Sequence, residues 1–224
     1  IDGAKSGIFS NTEGTGAGGT INLSARALTI QNGGTISAST TGTDTLATGG
    51  SVIIKATDQV TMTNGASITA SSTGPGNAGS ILVKANGIAV SGGATITASS
   101  TGAGKAGTVT IQDLNSPVQS FLIDGNGSGV FTNTTKSGAG GDITVSSSSI
   151  QLRNNGRISA ETSGTDVTAT GGKIRVDGTK IRIENGALVT SSSTGPGPGG
   201  DIDLIAGQSV TIENGASTSA SSTG

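Results

Sequence analysis

The chain has no cysteine, histidine, tryptophan or tyrosine, and only three phenylalanines and four prolines in 224 residues. Without cysteine there are no disulfides and no thiolate metal sites, which fits a cytosolic or a bacterial extracellular setting equally. Aromatic side chains supply much of the buried area of an ordinary globular core, so this chain must fold around a thin core. Charge is also scarce: 12 basic and 14 acidic residues leave a net charge of −2. No polybasic face is available to neutralise a phosphate backbone or an anionic membrane, which argues against nucleic acid as a partner. No apolar run approaches the ~20 residues that span a bilayer, so membrane insertion is not expected. No signal-peptide pattern opens the chain, and the start at Ile1 without methionine leaves room for a preceding targeting segment.

What the chain does have is glycine, 40 residues of it, together with serine and threonine. Such a composition suggests disorder, but disordered chains are poor in β-branched aliphatics and do not space them regularly. Here Ile, Val and Leu recur on a schedule. The glycine ending each "AGG", "TGG" or "NAG" marks it: Gly19, Gly50, Gly79, Gly107, Gly141, Gly172 and Gly200, at spacings of 31, 29, 28, 34, 31 and 28. Two residues after each marker stands Ile21, Val52, Ile81, Val109, Ile143, Ile174 or Ile202. Four after it stands Leu23, Ile54, Val83, Ile111, Val145, Val176 or Leu204. Fourteen aliphatics in fourteen slots, two apart, are the alternation of a strand with one buried face.

A second pair follows in each coil: Leu28/Ile30, Val60/Met62, Ile88/Val90, Phe121/Ile123, Ile150/Leu152, Ile181/Ile183 and Val210/Ile212. A third, with smaller inward residues, reads Ile36/Ala38, Ile68/Ala70, Ile96/Ala98, Ile158/Ala160, Val189/Ser191 and Thr218/Ala220. Equivalent strands lie about 30 residues apart, so each must pair with its copy in the next coil, and that pairing is parallel. The expected fold is all-β, a parallel β-helix (β-solenoid) with three short strands per coil, corners between them, and about seven coils. At ~4.8 Å per coil it is a rod of about 35 Å. Both ends expose sheet edges without a helix or charged cap, so further coils or other copies are expected to continue the stack.

Each third strand is preceded by an "NG"-type corner, and Asn32, Asn64, Asn154, Asn185 and Asn214 occupy equivalent positions. They are expected to stack as an amide ladder, with Gly92 interrupting the slot in the third coil. Residues 1–50 align without gaps to 123–172, with 27 identities, so a 122-residue block (1–122, then 123–224 in part) is beginning again within one repeat segment. The block carries an inserted stretch, "QDLNSPVQSF", and outward phenylalanines at Phe9 and Phe131. Charges fall in columns on the outer faces: Asp142, Lys173 and Asp201; Thr144, Arg175 and Asp203; Asp124, Arg153 and Glu184. Lys55 over Lys84 breaks the alternation.

The phrases "AGG-T-I-N-L-S-A" and "L-T-I-Q-N-G-G-T-I-S-A-S-T" (17–40), with their copies to Gly224, resemble the filamentous-haemagglutinin-type exoproteins of two-partner secretion, in particular the Gly/Ser/Thr-rich repeats of large cyanobacterial and related surface proteins. The resemblance spans essentially the whole chain. It implies a right-handed parallel β-helix, secretion through an outer-membrane β-barrel transporter, and a role as adhesin or extracellular fibre at the cell surface. The family's secretion domain carries Asn-Pro motifs, whereas Pro75, Pro117, Pro196 and Pro198 follow Gly or Ser. The secretion route therefore belongs to a longer parent protein, of which this segment is shaft.

Other functions need residues that the pattern explains otherwise. A polysaccharide-cleaving β-helix needs clustered carboxylates with Lys or Arg. The candidates are Asp201 and Asp203 near Arg175, and Asp44 or Asp166 in long loops, but the first pair sits in a repeated charge column. Calcium-binding repeats carry G-G-x-G-x-D, which never occurs; "GTD" at Gly42 and Gly164 reads as a turn-capping aspartate. Ice binding needs a flat array such as Thr35/Ser37, Ser67/Thr69 and Thr95/Thr97, which Arg157, Glu161 and Leu188 interrupt. The expectation is thus a non-enzymatic, cofactor-free and metal-free shaft. Its partners are copies of itself, end to end or side by side, or a neighbouring cell surface, with Phe9 and Phe131 as lateral contact points.

Overall fold

The computed structural model describes residues 1–112 and 120–224; most of the inserted stretch lies outside the described residues. Among the described residues seventeen strands form two sheets, one of nine strands and one of eight, and every strand pairing is parallel. Copies pair in register: Val52 lies beside Ile81, Ile81 beside Val109, and Ile143 beside Ile174. The chain is a β-solenoid of about seven turns.

The three expected strands per coil appear in a different grouping. The first two are continuous in most coils, as in Ser51–Met62, Ser80–Ser91, Ile143–Arg153, Ile174–Glu184 and Ile202–Glu213. No corner separates them because a small residue carries the inward alternation one step further: Ala56 pairs with Ala85, and both are buried. The backbone stays extended and keeps its hydrogen-bond ladder. One-residue length differences are absorbed as register shifts between Ala56 and Gln59 and between Gly178 and Lys180. In the first coil the strand breaks, giving Thr20–Ala25 and Leu28–Ile30. The fourth coil contributes Thr108–Gln112 and Ser120–Asp124 to the same nine-stranded sheet; the other strands are three residues long and form the eight-stranded sheet, among them Gly129–Phe131, which gives the fourth coil the third strand that the aliphatic periodicity does not assign to it.

Ile30, Ile54, Met62, Ile68, Ile96, Ile111 and Ile143 are completely buried, and the core runs along the whole axis. Each such side chain contributes about 1.5–3 kcal/mol, against ~0–1 kcal/mol for an exposed ion pair. The aliphatic columns hold the coil together. The loops leaving the short strands are ordered too. Thr12, Thr40, Ser72, Ser100, Thr134, Thr162, Ser193 and Ser222 form an unbroken line of parallel bridges from coil to coil. The six from Thr40 to Ser193 are buried. Their hydroxyls serve the loop backbone: Ser72 Oγ donates to Gly76 O at 2.6 Å, and Thr134 Oγ1 to Gly138 O at 2.7 Å. One edge of the interior is therefore polar and largely supplied with internal partners, the exception being Ser100, whose buried Oγ has none.

Glycine has a steric role at the marker position. A Cβ on Gly50, Gly79, Gly107, Gly141, Gly172 or Gly200 would lie 1.7–2.0 Å from the carbonyl oxygen of the preceding coil's marker glycine. The coils touch backbone to backbone there. Gly107→Ala is expected to destabilise the fold by about 3 kcal/mol or more, as overpacking against unyielding backbone does. Gly16→Ala, where nothing lies within 4 Å, is expected to change stability by less than about 0.5 kcal/mol. Urea unfolding of the two variants measures the contrast, and equal effects would contradict the close-approach account.

Candidate functional site

Four outer features are candidates: the asparagine corner, the charge columns, the loop aspartates and the face of the eight-stranded sheet. At the corner, Asn32, Asn64, Asn154, Asn185 and Asn214 all have positive φ, between 52° and 55°, and the next residue is positive as well. Two successive left-handed residues turn the chain into the short strand, and asparagine is among the few non-glycine residues that tolerate this. Asn64 Nδ2 donates to Asn32 Oδ1 at 3.1 Å, and Asn32 Nδ2 to Asp2 Oδ1 at 2.8 Å. In the next block Asn185 Nδ2 donates to Asn154 Oδ1 at 3.4 Å, and Asn154 Nδ2 to Asp124 Oδ1 at 2.8 Å. The side chains thus form two three-rung runs, each headed by an aspartate, instead of one ladder. A line of amides that all donate in one direction needs a terminal acceptor, and the carboxylate supplies it. Gly92, with no side chain, ends the first run, and among the described residues no side-chain bond joins Asn185 to Asn214. The signal for the aspartate cap was the "IDG" that opens both blocks.

The charge columns are wired differently from a simple alternation. Arg153 does bind Asp124, through Nε at 3.0 Å and a terminal nitrogen at 2.9 Å. Lys173 Nζ reaches diagonally to Asp203 at 3.0 Å rather than to Asp201, and only its backbone N–H meets Asp142, at 3.0 Å. Arg175 turns along its own strand to Asp177 at 2.8 Å. Glu184 accepts from Gln151 at 2.7 Å and from Arg182 at 2.8 Å, and Arg182 also bridges to Glu213. Neighbours two apart on one face are within reach of long side chains, as cross-strand neighbours are, so strand register alone does not choose the partner. Lys55 and Lys84 are direct neighbours, and nothing in the structure explains that pair.

Asp201, Asp203 and Arg175 do not converge, since Asp203 is held by Lys173 and Arg175 by Asp177. Asp166 Oδ1 accepts from Thr168 N–H and its hydroxyl, both at 2.9 Å, and Asp44 Oδ1 from Leu46 N–H at 2.8 Å. Both carboxylates cap their own turns. Among the described residues no three acidic side chains gather closely enough to hold a metal ion, and no helix is long and apolar enough to cross a membrane. Two of the surface hollows are open and glycine-lined. The one of about 430 Å³ between Gly49, Asn77 and Lys105 holds no acid–base pair.

Phe9 and Phe131 stand on the outer face of the eight-stranded sheet, four coils apart. Phe9 is 55% exposed and Phe131 is half-buried. Each ring lies back along its strand over a glycine: a Cβ on Gly7 or Gly129 would lie 2.6 Å from the ring Cζ. Two residues on stand Asn11 and Asn133, which the periodicity does not single out. Asn133 Oδ1 accepts from Ser159 Oγ at 2.7 Å and from Glu161 N–H at 2.8 Å. Asn11 Oδ1 does the same with Ser37 Oγ at 2.6 Å and Ser39 N–H at 2.9 Å. The sequence signal was the recurrence of G-x-F-x-N-T at Gly7 and Gly129. No protein-family model, curated protein or solved structure matches the chain.

Several carboxyls sit below their ordinary range. Hydrogen bonds from Asn32 and Gln31 lower Asp2, those from Gln151 and Arg182 lower Glu184, and those from Thr168 lower Asp166. Burial pushes Asp124 up, but the hydrogen bonds of Arg153 and Asn154 outweigh it and the net shift is downward. A carboxyl lowered by folding stabilises the fold above its unfolded pKa and stops doing so as pH falls through its folded one. The melting temperature is therefore expected to stay level from neutral pH to about 5 and to fall below about 4. Asp124→Asn/Glu184→Gln should show a shallower acid loss. A wild-type melting temperature that is flat or rises on acidification would contradict these contacts.

Proposed function

We propose that the chain is a non-enzymatic shaft of a bacterial surface or secreted fibre, and that its role is mechanical, projecting or networking an adhesive surface. The observation that carries this reading is the continuity of the ladders. From Gly7–Phe9 to Ser217–Ser219 the eight-stranded sheet runs without a break, beside a continuous aliphatic interior. Bending or unzipping such a rod at any coil exposes aliphatic side chains and unpairs backbone groups together. Small hydroxyl side chains keep the outside wet, and the repeat lets length be set by copy number. The resemblance to filamentous-haemagglutinin-type exoproteins supports the same reading, with an extracellular location, an outer-membrane β-barrel transporter for the parent protein, and a neighbouring cell surface as the partner of the fibre.

A second reading has separate chains stacking end to end into a matrix filament. It is favoured by the sameness of the coils, since each pairs in register with a copy of itself and coils of separate chains can stack by the same parallel ladder.

Electron microscopy of chains carrying one, two and four 122-residue blocks tests both. The shaft reading expects straight particles that lengthen by about 19 Å per block, four coils at ~4.8 Å, at any protein concentration. Length that grows with concentration supports the filament, and compact particles that do not lengthen with block number would sink both.

A further inference from the structure

We propose that each G-x-F-x-N pair is a carbohydrate subsite, and that the sheet face between Phe9 and Phe131 binds a neutral polysaccharide lying along the solenoid axis. The inference deepens the adhesive reading, on which it rests, by naming the class of surface bound. Three observations carry it. The first is the aromatic ring. Because Gly7 and Gly129 have no Cβ, each ring reclines over its own strand on the outer face, with Phe9 exposed and Phe131 half-buried. The negative face of a ring attracts positively polarised hydrogens, and the axial C–H groups of a pyranose present them on an apolar, flat side.

The second is the amide. Asn11 and Asn133 spend their Oδ1 on a serine hydroxyl and a backbone N–H of the next coil, which fixes the orientation of each amide. Among the described residues, both Nδ2 groups are left without a partner, two residues along the chain from the ring. A ring and a preset donor side by side match the apolar face and the equatorial hydroxyls of one sugar unit. Beside Asn133 the surface dips into a recess of about 220 Å³ bordered by Glu161, Ser163 and Thr194, with room for substituents.

The third is the path between the rings. Phe9, Ser37, Thr69, Thr97 and Phe131 stand in register across successive coils, and Thr35, Ser67 and Thr95 form a parallel column. Between the two rings this face carries hydroxyls and no charge, which complements an uncharged polyol. The rings are about 19 Å apart, so one chain of several sugars reaches both. Two weak subsites joined by one ligand gain about 10²–10⁴-fold in avidity, and the block repeat extends the series. A protein partner fits poorly, because a single ring among hydroxyls lacks the apolar core of an interface of about 800 Å² per side.

The test is co-sedimentation of the full chain with cellulose, chitin and cross-linked dextran, with heparin beads as the polyanionic comparison and vesicles as the lipid comparison. Retention on at least one neutral polysaccharide, insensitive to added salt, is expected. Phe9→Ser/Phe131→Ser should lower it at least about tenfold. Asn11→Asp/Asn133→Asp keeps the oxygen that holds Ser37 and Ser159 but removes the donor, and should lower retention several-fold while the circular dichroism stays unchanged and the melting temperature falls only slightly, from the new carboxylate beside Glu161. Retention on none of the neutral polysaccharides, salt-sensitive binding to heparin alone, binding to vesicles alone, or retention that neither double variant alters would overturn the proposal. Rods that still lengthen with block number would show that the shaft survives that outcome.

Discussion

Every coil must lie at one strand spacing above the last, and the rest of the molecule answers to that constraint. A parallel ladder repeats at about 4.8 Å, so whatever a coil puts at a given angle around the axis is pressed against its own copy above and below. Aliphatic side chains meet this demand well, since Ile over Val over Ile fills a column without a polar atom to satisfy. Glycine meets it at the markers, where the backbone of Gly79 approaches the Gly50 carbonyl too closely for any Cβ. Serine and threonine meet it in the exit loops, where the buried hydroxyls of Ser72 and Thr134 close hydrogen bonds onto loop carbonyls.

The composition that looks like low complexity is thus a division of labour around one coil. Forty glycines in 224 residues are compatible with a rigid structure because many of them are placed by contact, where any larger residue would push two coils apart. The thin aliphatic core suffices because it is continuous: each coil shares its buried surface with two neighbours. Interior polarity is tolerated for the same reason, since hydroxyls such as those of Ser72 and Thr134 find a carbonyl at a position fixed by the stacking of the coils.

The same stacking sorts the outer surface into columns, and columns are where a function can reside. Charged residues in the second block settle into local ion pairs within and between coils, which fix side chains more than they stabilise the fold. The neutral stretch between Phe9 and Phe131 differs. There the repeat places two aromatic rings and two oriented amides on one hydroxyl-bearing face, at a separation set only by the number of intervening coils.

Coil length, the parallel pairing and the inward residues were legible in the sequence, because a side chain buried against its own copy must recur at the same offset. The aliphatic pairs following Gly19, Gly50 and their equivalents carried that information without reference to anything outside the chain. So did the block repeat and the asparagine corners. The tertiary structure alone decided the rest. That the first two strands fuse depends on how Ala56 and Ala85 continue the pleat. That Lys173 chooses Asp203 over Asp201 depends on side-chain reach across the face. That Asn11 and Asn133 hold the next coil with one atom and offer the other depends on where the neighbouring serine lies. Periodicity in a sequence reports which residues share a column; distances between columns arise only once the coils are stacked, and those distances determine the chemistry of the surface.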